Sequence, residues 1–159
     1  MTASIVCGVD GSPDSRAALR VAAQLSGQLD LGLVVAYVAR PPQLFSPSPV
    51  GAGSRPAAPP ALVDAELRAG ERLLEDVTTQ EGLHDVDRRV VAGLDAADRL
   101  ADLADDEEAE LIVVGSRGRG AFKAAFLGSV SNALIGVARC PVVVVPPGAA
   151  EEHWAADRR

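Results

Sequence analysis

Aromatic side chains are scarce in this sequence, at 3% of 159 residues, although the apolar share reaches 48%. A core must therefore be assembled from Val, Leu, Ile and Ala, a mix that suits helices packed on a parallel sheet. Cysteine and histidine are equally sparse, two of each. Cys7 and Cys140 lie in apolar, strand-like surroundings and read as buried free thiols of a reducing cytoplasm rather than as a disulfide. With His84 and His153 scattered far from both, no metal-ligand spacing emerges. Positive charge is short as well: the formal net charge is −7, a balance that repels nucleic-acid phosphates and anionic membranes. No apolar run approaches transmembrane length. The opening residues, MTASIVCGVD, carry neither the basic region nor the long apolar core of a signal peptide. The length suits one compact domain.

What is present is a regular alternation of apolar patterns. Ser4 to Val9 is apolar and β-branched, and Asp10-Gly11 closes it, so it reads as a central strand. Ser12 is an N-cap candidate followed by Pro13 and Asp14 in the first helical turn. Ala18, Val21, Ala22, Leu25 and Leu29 recur at helical spacing, with Gly27 as the expected stop. Leu31 to Val38 is apolar throughout and reads as a strand covered on both faces. Arg40 to Pro60 then carries seven of the 11 prolines, a density that excludes helix and ladder. Val63, Leu67, Gly70, Leu74 and Val77 mark a second helix, and Val86, Val90 and Val91 a third strand whose charged neighbours Asp87, Arg88 and Arg89 fit a sheet edge. Asp95 suits an N-cap with Asp98 at N3, and Ala97, Leu100, Ala101 and Ala104 give the third helix its apolar face. The acidic run Asp105 to Glu108 reads as a solvated helix end. It meets the negative end of the helix dipole, which favours fraying. Leu111 to Val114 is a fourth strand. Val130, Ala133, Leu134, Val137 and Ala138 mark a fourth helix with Arg139 near its C-terminus, and Pro141 to Val145 is a fifth strand. The order is an α/β fold: a single open, doubly wound parallel sheet with helices on both faces. Residues 1–148 form the expected domain, 41–60 an insertion in it, and 149–159 a tail.

The stretch from Glu110 to Pro146 holds the chemistry. A buried strand stops at Gly115, a glycine-rich loop follows, and Gly128-Ser129 opens a helix. Strand, glycine loop and helix N-terminus in that order make an anion site, because the first amides of a helix lack intrahelical acceptors and glycine lets a ligand approach the backbone. Two familiar phosphate loops do not fit. A P-loop requires lysine directly after its last glycine, and Lys123 lies mid-loop. Gly115, Gly118 and Gly120 run in the reverse order of the G-x-G-x-x-G fingerprint. Gly115 and Gly118 are instead separated by two residues, and nine residues then precede Gly128-Ser129.

That spacing resembles the nucleotide-binding signature of the universal stress protein family, in its ATP-binding subgroup. The resemblance runs from Ser4 to Pro146. Val9-Asp10-Gly11-Ser12 resembles the family's first strand-to-helix corner, and Val90-Val91-Ala92-Gly93 before Asp95 is also family-like. It implies a five-stranded sheet of order 3-2-1-4-5, with ligand bound where the order reverses, between strands one and four. It further implies ATP, with Mg²⁺ accompanying the nucleotide. Asp10 and Val38 would contact adenine, and Gly8, Val114 and Gly115 would line the adenosine pocket. Gly118, Gly128, Ser129 and Val130 would hold the phosphates. Arg117 and Arg119 put positive charge where a polyphosphate needs it. Two departures bear on the base pocket: the proline-rich insert lies close to where adenine would sit, and Tyr37 stands where members often carry histidine.

Plainer roles remain open for the same residues. Asp10 suits a turn cap, Ser129 an N-cap, Val38 and Val130 the core, and Arg117 and Arg119 solvent-facing charge. Three functions follow: a nucleotide-dependent stress-response regulator acting through an unknown protein partner, a slow ATPase or other ATP-using enzyme, and a nucleotide-free dimeric scaffold. No nucleophile–base constellation stands out, so no catalytic residue is assigned. Strand five, uncharged and opening on Pro141, has the character of an exposed edge and the expected seam of a homodimer.

Overall fold

The computed structural model describes residues 3–40, 59–118 and 127–146. Nine elements alternate: β1 Ser4–Gly8, α1 Pro13–Leu29, β2 Gly32–Ala39, α2 Pro60–Gln80, β3 Asp87–Ala92, α3 Ala96–Asp106, β4 Ala109–Gly115, α4 Ser129–Val137 and β5 Val142–Val145. The strands form one sheet of order β3-β2-β1-β4-β5. All four pairings are parallel, with Gly8 opposite Ala36 on one side and Val114 on the other.

The pleat explains why β1 is apolar throughout. Ile5 and Cys7 point into a core shared with Ala18, Leu19 and Ala22 of α1 and Leu74 and Val77 of α2. Val6 points the other way, into a core with Leu100 and Ala104 of α3, Ile112 of β4 and Leu134 of α4. A strand covered on both faces has no solvent side, so its hydrophobicity does not alternate. Leu19, Leu74 and Leu134 are essentially fully buried, and truncating any of them to Ala costs about 2–5 kcal/mol.

Two helix ends fall where the sequence pattern predicts. Ser12 caps α1, its Oγ accepting from the Ser15 amide at 3.2 Å. Asp95 caps α3 by accepting from the amides of Ala97 and Asp98 at 2.9 and 3.3 Å. Others differ, each for a local reason. Gly27 does not stop α1, which continues to Leu29; Asp30 takes the left-handed position with φ 55°, a conformation that Asp tolerates better than most residues. Pro59 and Pro60 belong to the start of α2 as its N-cap and first residue, since proline lacks only an amide that a first turn leaves unused. The acidic end of α3 stays helical through Asp106, and two of its acids are paired: Asp105 with Arg139 at 3.0 Å and Glu107 with Arg89 at 3.2 Å. Gly128, rather than Ser129, is the N-cap of α4, and Ser129 is its first helical residue.

Candidate functional site

A cavity of about 570 Å³ opens at the C-terminal ends of β1, β2 and β4, at the point where the sheet order reverses. Gly8, Asp10, Val38, Val114, Gly115, Arg117, Gly118, Gly128, Ser129 and Val130 all line it. Arg119 and the 41–58 stretch lie outside the described residues, as does the tail.

The wall under β4 and α4 is made of backbone. The Ser116 amide donates to the Val145 carbonyl at 2.8 Å, and the Ser116 carbonyl accepts from the Gly128 amide at 2.6 Å. Ser131 Oγ donates to that same carbonyl at 3.2 Å. These bonds pin the start of the loop to the start of the helix. Gly128 brings no capping side chain, so among the described residues the first amides of α4, beside the cavity, have no capping acceptor. Glycine at 115 is required by contact. A Cβ there would stand 2.6 Å from the carbonyl carbon of Asp14, and one at Gly118 would stand 2.6 Å from Asp10 Oδ2. The arrangement fits an anion: donors converge, the helix dipole favours negative charge, and side chains are kept out.

Arg117 is not turned to solvent. Its Nε donates to Asp14 Oδ2 at 3.2 Å, and Ser116 Oγ donates to the same oxygen at 3.0 Å. Asp14 is 8% exposed. In the sequence it reads only as an acid suited to the first turn of α1; its partners are more than 100 positions away, so spacing gives no sign of the tether. Asp10 closes its own turn, Oδ1 accepting from the Ser12 amide at 2.9 Å, and stands beside Gly118 on the loop side of the cavity.

The opposite end is built from side chains. Tyr37 of β2 donates its hydroxyl to Glu66 Oε1 of α2 at 3.0 Å, and both residues line the cavity together with Val38 and Arg40. Gly70, one turn beyond Glu66, makes room for the ring: a Cβ there would lie 2.5 Å from Tyr37 Cδ1. Glu66 escaped the sequence pattern because an acid on an amphipathic helix ordinarily marks its solvent face.

The thiols stand apart from the cavity. Both cysteines are free. Burial pushes the Cys7 thiol up to about 12. Cys140 is only half-buried, not fully as its sequence context suggests, and its pKa is raised, first by desolvation. Among the described residues no group of three or more His, Cys, Asp or Glu is placed to hold a metal ion, and no helix is long and apolar enough to cross a membrane.

Comparison with known proteins matches this architecture. A universal stress protein of Mycobacterium tuberculosis (strain H37Rv) is 35% identical over 145 residues, covering 89% of this chain and 45% of its own length. The chain thus spans about half the length of that curated relative. Among solved structures, the universal stress protein UspA from Lactobacillus plantarum superimposes with a TM-score of 0.71 at 22% identity, covering 91% of this chain and 97% of its own. A universal stress protein crystallised in complex with cAMP gives a TM-score of 0.58 at 27% identity, covering 92% and 98%. The family model for universal stress proteins matches residues 1–146, and the chain belongs to the universal stress protein family.

Proposed function

We propose that the cavity binds ATP, with Mg²⁺ carried on its phosphates, and that the protein is a nucleotide-dependent regulator of the stress response whose bound state is read by a protein partner in the cytoplasm. One observation carries the reading: Gly115, Gly118 and the N-terminus of α4, where Gly128 brings no capping side chain, line the cavity together. In this reading the amides at Gly118, Ser129 and Val130 hold phosphate, with Ser129 Oγ beside them; the Gly128 amide is taken by the Ser116 carbonyl, so Gly128 serves by letting phosphate approach, and Gly8, Val114 and Gly115 flank the sugar. Val38 stands toward the base, whereas Asp10, which the resemblance also assigns to adenine, lies beside Gly118 at the loop end. Mg²⁺ would offset charge between phosphate oxygens, and the protein's part is to orient the chain of phosphates. The solved relative's cAMP supports an adenine nucleotide as the ligand class. Calorimetry with ATP and GTP at matched Mg²⁺ tests the reading. Binding of ATP in preference to GTP is expected, and absence of heat and of thermal stabilisation at millimolar ATP would sink it.

Assembly is part of the same reading. Edge strand β5 is all valine, Val142–Val145, whereas edge strand β3 begins with Asp87, Arg88 and Arg89, charges that discourage strand addition. A homodimer through β5 follows. Light scattering on the intact protein and on Val143→Lys checks it: a dimer that becomes a folded monomer is the expected result, and a dimer indifferent to the lysine contradicts it.

A further inference from the structure

The Tyr37–Glu66 pair stands at the β2 end of the cavity, and both residues also line a second hollow of about 420 Å³ between α1 and α2. The pair is therefore the wall that ends the cavity on that side. Phosphates held at the N-terminus of α4 lie beside β4, and β2 is two strands away, about 10 Å at the usual inter-strand spacing. A nucleotide anchored at its phosphates and lying across β1 brings its base to this wall. Glu66 presents a carboxylate there. The Tyr37 hydroxyl occupies one acceptor site of Oε1, and an ionised carboxylate has about four such sites and no proton to donate. Asp10, the other carboxylate in the cavity, has Oδ1 engaged by the Ser12 amide and Oδ2 against Gly118, so it stands nearer the loop. Among the described lining residues, the carboxylate at the far wall is that of Glu66.

We propose that Glu66 is the specificity-determining residue at the base end of the cavity, accepting a hydrogen bond from the exocyclic amine of adenine, with Tyr37 as the residue that positions it. The inference rests on the nucleotide reading above. An adenine amine donates to the carboxylate. The 6-oxo group of hypoxanthine offers only lone pairs there and is repelled. A hydrogen bond to a charged group left unmade weakens binding by about tenfold or more.

The experiment is calorimetry with ATP and with ITP, each with Mg²⁺, on the intact protein and on Glu66→Gln and Tyr37→Phe, with circular dichroism confirming the fold. The wild-type protein is expected to favour ATP over ITP by about tenfold or more. Glu66→Gln, whose amide can either donate or accept, is expected to bring the two nucleotides within about threefold. Tyr37→Phe is expected to narrow the ratio less. Loss of affinity for both nucleotides in equal measure is what a merely structural role would produce, and it overturns the proposal. So does an unchanged ATP to ITP ratio in Glu66→Gln, which assigns base reading to Asp10 or the backbone while leaving the nucleotide site intact. Failure of the wild-type protein to bind either nucleotide overturns the nucleotide reading itself, and this inference with it.

Discussion

At the α4 end of the cavity the polar groups are peptide amides spaced by glycine; at the α2 end they are a phenol and a carboxylate brought together by packing. The first end is local. Its donors among the described residues lie at Gly118 and at the start of α4, close in the sequence, and glycines keep that backbone open. The second is tertiary: Tyr37 and Glu66 lie 29 residues apart and meet only because α2 packs on β2 and β3. The difference teaches that one cavity can hold two kinds of specificity. Backbone donors recognise charge regardless of what it is attached to, while a side-chain acceptor distinguishes one donor-bearing edge from another.

The largest expected effect comes from turning the donor end into an acceptor end. Gly128→Asp places a carboxylate where the N-cap side chain bonds the first amides, in the space a phosphate needs. Nucleotide affinity is expected to fall by at least about 100-fold, or about 2.7 kcal/mol. Gly128→Ala is the control for crowding alone, since its Cβ would sit 3.1 Å from the Ser116 carbonyl oxygen. Calorimetry on the two variants separates charge from bulk, and undiminished ATP binding by a folded Gly128→Asp would break the comparison outright.

Gly115→Ala tests whether the backbone end depends on close contact. The added carbon meets the Asp14 backbone at 2.6 Å, which cannot rotate away as a flexible side chain would. A loss of about 1–3 kcal/mol of stability is expected from overpacking, measured by urea unfolding. A neutral result would show that the strand end yields freely.

The smallest effect is expected from Asp14→Asn. It leaves an acceptor for Ser116 but removes the charge opposite Arg117, whose side chain is 29% exposed. A loss of about 1 kcal/mol is expected, shrinking as salt is raised. A loss of equal size at low and high salt would assign the contact to hydrogen bonding instead of charge.

How much of this could be read in the sequence divides along the same line. The alternation of strands and helices and the α4 end were open to reading because glycine spacing, apolar runs and caps such as Asp95 are short-range signals with one physical cause each, whereas the strand order came only with the family resemblance. The end of α1 was misread because Gly27 competes with Asp30 for the left-handed turn, and the start of α2 because a proline that forbids a helix interior is welcome at its first position. The Asp14 tether and the Glu66 wall were hidden for a different reason. Each is an acid on a helix, and only the folded sheet decides whether such an acid meets solvent or a partner.

Gly70 has a consequence for how such a cavity can change over time. It lies behind Tyr37 on the buried face of α2, where an added Cβ would also stand 3.0 Å from Val90 Cγ1. A larger residue there would push the phenol forward and shorten the space available to a base. The dimension that a ligand experiences is therefore adjustable from a position no ligand would contact, and a substitution in the scaffold could retune selectivity while every lining residue stayed the same.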